Sequence, residues 1–431
     1  MRLTRKTLTR SAMAAVAGTS AFALMACSGG GAGGGGSADA FSVLVNVENA
    51  EVPAVLDTLA AGACSEQADT LPLEVETTPQ TNLDQQLQLQ AGQAALPVLF
   101  SAGNAPSLTA ELADAGHVAD FEKVLGDLGI ADQIEPAAVS TIESLYGGFR
   151  ALPFEYNVEG IWYNKQIFEE NGIDEPQTFD DMVAAAETLN DAGVQPFSAS
   201  GEQGWPITRL ISSYLFRDLG PDAMQKVADG EAELTDPEYV AAAQAIADLG
   251  AEGWFGKGVG SIDMATSENQ FLNGSAAMFY MGSWFLSGLN DPEMNQIGVE
   301  NVGFMPFPAV EGGAGDRSQL AANVGLPLTM NANLVDDDTS GWLECIVENY
   351  GATALEQENR VSGFALNDEV EDVPELTSMV QQQVADTETT VLWFEALFSA
   401  EATTTSQRNA APLVTGSLSA EEFMQKVQAD L

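Results

Sequence analysis

The chain has 431 residues, with 63 Asp and Glu against 15 Lys and Arg, a single histidine and a formal charge of −48. Such a surface repels nucleic acid and anionic lipid headgroups, which excludes both as partners; it also disfavours an anionic solute unless a buried arginine reverses the field locally. One histidine and three cysteines leave no ligand set for a transition metal, so no metal and no cofactor is expected.

Residues 1–26 read as an export signal. Arg2, Arg5, Lys6 and Arg10 form a basic start, and the stretch that follows to Ala26 is uncharged and ends in small residues. It is shorter than the roughly 20 apolar residues that a membrane-spanning helix needs. Leu24-Met25-Ala26-Cys27 looks like a lipobox, the site at which a bacterial lipoprotein is cleaved and its new N-terminal cysteine lipidated. Residues 27–37 are then the lipidated Cys27 and a Gly/Ser leash, with an average reach of about 17 Å. Outside the cell Cys64 and Cys345 remain as an even pair, which suggests a disulfide, with two buried free thiols as the alternative.

Beyond the leash, β-type and helical runs alternate. Strands are expected at 41–47 (FSVLVNV), 71–77 (LPLEVET) and 96–101 (LPVLFS), and helices at 51–63, 82–93 and 106–116. Strict alternation implies α/β architecture, a parallel sheet with helices on both faces. Ligands of such sheets sit beyond the carboxyl ends of the strands, which draws attention to Asn46, Glu48, Asn82, Ser101 and Asn104. His117 ends a helical pattern and reads as structural or surface, and the acidic run Val335 to Thr339 reads as a solvated loop. The middle of the chain is more helical, around 179–193, 206–220 and 237–254. No internal repeat and no linker appears after Ser37, so a two-lobed chain has to cross between its lobes more than once.

From Ala151 to Phe197 the sequence resembles the family 1 extracellular solute-binding proteins of bacterial ABC importers, the maltose-binding-protein-like group that binds sugars. The resemblance rests on Tyr163-Asn164-Lys165, then Glu175, Pro176 and Thr178 to Asp180, then AGVQPF, in that order. GWP at 204–206, FLNGSAAMFYMGSW at 271–284, VGFMPFPAVEGG at 302–313 and LVTGSLSAEEFMQKVQ at 413–428 extend it over essentially the whole mature chain. It implies a two-lobe periplasmic-binding-protein-like fold (type II), each lobe a mostly parallel sheet flanked by helices, joined by a hinge of several crossings. The lobes implied are 38–154 plus 306–364 and 155–305 plus 365–431, with Cys64 and Cys345 both in the first.

The resemblance further implies a neutral carbohydrate, a di- or oligosaccharide, held in the cleft and passed to ABC permease subunits in the membrane by a monomer anchored through Cys27. Aromatic faces cover the apolar side of a sugar ring and planar polar groups bind its hydroxyls. Transferring the family's motif positions selects Glu48, Asn49, Asn104, Glu155, Tyr156, Asn157, Glu202, Trp205, Ser283, Trp284, Asn323 and Trp393. Trp254 matches no such motif and reads as lobe packing, while Arg209 and Arg317 form no anion clamp. No nucleophile elbow, Cys/His couple or phosphate-binding glycine loop is present, so no enzyme is expected. The same fold holding a polyol, peptide or amino acid is the alternative, with a tethered glycoside hydrolase or an adhesin behind it.

Overall fold

The structure, a computed structural model, describes residues 37–431 apart from 48, 104, 105, 326, 388 and 389 and the side chains of 80, 81 and 400. The export signal and Cys27 lie outside the described residues, as do Glu48 and Asn104. Among the described residues ten strands form two sheets: β1 (Phe41–Asn46), β2 (Leu73–Thr78), β3 (Leu99–Ser101), β4 (Asn157–Asn164), β5 (Gln195–Ser198), β6 (Ala276–Gly282), β7 (Val302–Met305), β8 (Leu320–Asn323), β9 (Leu328–Met330) and β10 (Thr390–Val391). No helix among them is long and apolar enough to cross a membrane.

The first sheet has the order β2-β1-β3-β9. β1 is buried on nearly every residue, as a central parallel strand covered on both faces must be, whereas β2 at the edge alternates between half-buried and exposed. β1 pairs parallel with β2 and β3, and β9 closes the sheet antiparallel to β3. The helix Asp337–Glu358 packs against the helix Glu51–Ala61. Its Trp342 stacks on Phe41 at 4.8 Å and donates its indole N–H to the Leu71 carbonyl at 2.8 Å. The same helix carries Cys345, which is bonded to Cys64 across a Cα separation of 5.8 Å.

The second sheet has the order β10-β8-β4-β6-β5, with β7 also on β4. Its composition follows from the two-residue period of a strand. In β4 and β6, Trp162, Phe279 and Met281 face one apolar core, while Ile161, Met278 and Tyr280 face the other. A mostly parallel sheet was expected in each lobe; here β5 and β6, and β8 and β10, pair parallel, while β4 runs against β6, β7 and β8. It enters from the first lobe at the end where β6 and β8 finish, so it has to run the other way.

Three chain segments join the sheets side by side. Leu152 bridges to Leu328 before the chain reaches β4, and Tyr156 N–H donates to the Val361 carbonyl at 3.1 Å. Gly363 N–H donates to the Pro153 carbonyl at 2.9 Å, and Val324 to Pro327 leads from β8 to β9. This corrects the expected second boundary at 306. β8 pairs with the first half of β4 while β7 pairs with the second half, so the chain leaves this sheet only after Asn323. Tertiary pairing, not a local breaker, places that exit.

Candidate functional site

The register of the second sheet gathers polar side chains at one end. Asn157 opens β4 opposite Asn323, the last residue of β8, and Glu159 lies opposite Gly282, the last residue of β6. Ser283 follows at once, and its hydroxyl donates to Asn157 Oδ1 at 3.2 Å. Asn323 Nδ2 donates to Glu159 Oε1 at 3.0 Å, and its Oδ1 accepts from Gly325 N–H at 3.0 Å. The Tyr280 hydroxyl, kept protonated by burial, donates to the other Glu159 oxygen at 3.3 Å. Glu159 has no exposed side-chain surface, and its charge is met by an ion pair with Arg209.

Arg209 comes from the helix Trp205–Leu219, which starts where a chain with Pro206 in its first turn should start. Gly204 precedes it at φ 76°, where an added Cβ would collide with the Gln407 carbonyl, so only glycine permits this approach. Spacing of three and four residues puts Trp205, Thr208 and Arg209 on one face. The Arg209 guanidinium lies 5.2 Å from the Trp205 ring centre and 5.1 Å from that of Trp393. Such cation–π contacts are worth about 0.5–2 kcal/mol each. Two residues on, Glu395 is buried and accepts from the Thr208 hydroxyl and, at 2.9 Å, from the Ser406 hydroxyl. Burial pulls the Arg209 pKa down, and Glu159 and Glu395 more than restore it, leaving it above its ordinary value. Burial likewise raises Glu395, against the opposing pull of Arg209 and the two hydroxyls.

Trp284 completes the group. Its ring lies over Gly282, where any Cβ would strike the indole, and it meets Trp205 edge-on at 5.8 Å and 62°. The three indoles of Trp205, Trp284 and Trp393 are half-buried, so each keeps an open part beside the polar network. On the first-lobe side, Asn49 and Ser101 follow or end β1 and β3, and both carry a buried oxygen with no hydrogen-bond partner among the described residues. Those are the strand ends where such sheets take ligands.

Glu155 occupies the first crossing. Gly325, at φ 57°, passes so close that an added Cβ would meet the Glu155 carboxylate. Arg360 pairs with Glu51 at 2.9 Å and reaches Glu155 only at 3.7 Å. Desolvation therefore wins at Glu155 and raises its pKa above the ordinary 4.5, with Arg360 opposing. The unfolded chain loses this proton first, so the contribution of Glu155 is most favourable below about 4.5 and is lost as pH rises through the raised folded value. The melting temperature of Glu155→Gln should consequently gain on that of the wild type as pH climbs from about 4.5 to 7. A constant difference across that range would contradict the assignment.

Of the residues singled out in the sequence, the fold brings together Asn157, Ser283, Asn323, Trp205, Trp284 and Trp393. Glu155 lies two residues from this group at the hinge, and Asn49 lies across the crossings. Glu202 is exposed in the loop before Trp205. Tyr156 is a correction: it has no exposed surface, and its hydroxyl lies 3.3 Å from that of Thr141, because the strand period turns it into the core between Glu155 and Asn157. Trp254 packs in the second core, as read from the sequence. Sequence reasoning missed Glu159, Arg209 and Glu395. A carboxylate inside the apolar run VEGIWY was the available signal for the first; nothing local marks the other two.

The profile of the family described as bacterial extracellular solute-binding protein matches residues 70–343. An ABC transporter extracellular-binding protein of Pyrococcus horikoshii is 24% identical over 268 residues, 61% of this chain and 59% of that protein. The sn-glycerol-3-phosphate-binding periplasmic protein of Escherichia coli strain K12 is 27% identical over 274 residues, 59% of this chain and 58% of that protein. The chain thus spans less than two thirds of the length of these relatives. Among solved structures, a chitin oligosaccharide binding protein superposes with a TM-score of 0.73 at 23% identity, covering 91% of this chain and 98% of that one. A sugar transporter protein of Bacillus licheniformis, in complex with stachyose, gives 0.65 at 16% identity, covering 90% and 98%. These likenesses show the two-lobe fold, and the family match shows the membership: the chain belongs to the bacterial extracellular solute-binding proteins, a family of substrate-binding components and not of enzymes.

Proposed function

We propose that this protein is the lipid-anchored solute-binding component of an ABC importer, capturing a neutral carbohydrate at the lobe crossings and delivering it to a membrane permease. The observation that carries the sugar is the grouping of three half-buried indoles with the amides of Asn157 and Asn323 at one end of the second sheet. Stacking faces beside planar hydrogen-bonding groups suit the two kinds of surface on a pyranose. A ligand touching both this group and the Asn49 side would contact both fully only in a closed form, and so shift the population toward it. Anchoring rests on the basic start and the lipobox at Cys27, and places a monomer on the outer face of the cell membrane.

The relatives named for sn-glycerol 3-phosphate raise a phosphate-bearing solute as a second chemistry. Charge speaks against it here. Arg209 stands among two carboxylates, Glu159 and Glu395, and Arg360 among two more, Glu51 and Glu155. Neither cation is left over for an anion.

The test is thermal unfolding of residues 38–431 against mono-, di- and oligosaccharides. A solute that binds only the folded form raises stability by about 2.7 kcal/mol at a hundredfold excess over Kd. Trp284→Ala should then weaken binding of the stabilising sugar by about 30-fold or more, the scale of an aromatic hot spot, by isothermal titration. Unaltered affinity would remove Trp284 from the site, and no shift with any carbohydrate would remove the sugar.

A further inference from the structure

Arg209 is unusual in this molecule: a cation between two indoles, with its Nε hydrogen unpartnered among the described residues, an ion pair to Glu159 and the charge of Glu395 acting on it. Its side chain is 13% exposed. Residues that meet in this cluster come from two chain segments far apart in sequence: the start of one helix (Trp205, Thr208) and the loop carrying Trp393 and Glu395. Thr208 fastens Glu395 on one side, and Arg209 fills the gap between the rings on the other. The ion pair with Glu159 then fixes the guanidinium to the central strand of the sheet, which also carries Asn157.

We propose that Arg209 is a positioning residue of the binding site: its guanidinium is the spacer that sets the separation and tilt of Trp205 and Trp393 relative to the Asn157–Asn323 amides, and its charge is spent on Glu159 and Glu395, so it takes no part in binding an anionic solute. This rests on the carbohydrate reading for its ligand but not for its geometry. A planar guanidinium can lie flat against two rings while donating in its plane to a carboxylate; an ammonium group cannot do both. The shape of the group, more than its charge, is what the site uses. Glu395 Oε2 has no hydrogen-bond partner among the described residues, so the cluster holds a further acceptor, which disfavours a ligand phosphate there.

The experiment compares wild type, Arg209→Lys and Arg209→Met by isothermal titration with the stabilising sugar and with sn-glycerol 3-phosphate. Near-ultraviolet circular dichroism of the ligand-free proteins is recorded alongside. Expected is a loss of sugar affinity of about tenfold or more in both variants, because neither side chain is a planar group that holds both rings while pairing with Glu159. The tryptophan bands should change in both, and sn-glycerol 3-phosphate should bind no form better than the sugar does. Lysine that restores wild-type affinity and spectrum would overturn the proposal, because charge alone would then suffice. Tighter binding of sn-glycerol 3-phosphate than of sugar by the wild type, lost in Arg209→Met, would overturn it by making Arg209 a ligand contact. Should Arg209→Met fail to fold, Arg209→Lys alone decides, since it keeps the charge that Glu159 needs. Should the wild type bind no carbohydrate, the sugar reading fails, and the tryptophan spectrum of Arg209→Lys still judges the spacer: an unchanged spectrum refutes it.

Discussion

Replacing Glu159 by alanine should lower the stability of the folded protein by about 3–5 kcal/mol, read as a fall in the urea midpoint, because it takes from Arg209 the carboxylate it is ion-paired with and leaves only Glu395 to meet the cation. Glu159 has no exposed side-chain surface, and Arg209, Asn323 and Tyr280 all donate to it. The loss therefore combines a cation deprived of its ion-pair partner with two orphaned donors. The sign of the cause can be checked with the double variant Glu159→Ala, Arg209→Met. If the penalty is that of a stranded charge, removing the charge restores part of it, and the double variant is more stable than Glu159→Ala. Equal or additive losses would assign the effect to packing. Either variant should bind the sugar poorly, since Asn323 loses the partner that orients its amide.

A second large effect is expected at the disulfide. Cys64→Ala with Cys345→Ala should cost about 2–5 kcal/mol under non-reducing conditions. The bridge joins residues 281 apart and so closes a very long loop in the unfolded chain. Both cysteines are buried, and they clamp the helix Asp337–Glu358 to the turn after the helix Glu51–Ala61. That contact closes one face of the first sheet. With reductant in the denaturant, wild type and double variant should unfold at one midpoint. A wild type that matches the variant without reductant would mean that the bridge contributes nothing. Ligand affinity should survive in the variant, because the bridge lies in the first lobe away from the indoles.

Much of this architecture could be read from residue order. Strands at 41–46 and 73–78, and helices at 51–61 and 106–114, lie where alternation of apolar runs with capped helical patterns put them. Such patterns are local, since a period of two or 3.6 and a glycine or proline at each end act within one element. That an indole at Trp284 lies over Gly282 was also suggested by the glycine beside it, where an added Cβ would strike the ring. The pairing of Cys64 with Cys345 was suggested by their number and the compartment.

What the tertiary structure alone decided is what depends on segments far apart in the chain. β8 belongs to the second sheet because the first half of β4 has unpaired backbone groups to offer, which nothing in Leu320–Asn323 announces. Tyr156 faces the core and Asn157 the site because of a one-residue alternation at the strand entry, and motif transfer could not resolve it. Arg209 looked like an ordinary isolated cation in PITRL, and Glu395 like one of 63 acids. Their meaning appears only when folding brings residues 159, 209 and 395 into one desolvated cluster. Charges there must be paired, and a planar cation can hold two tryptophans apart. Sequence periodicity determines the elements; burial of charge, which no linear pattern records, decides the site.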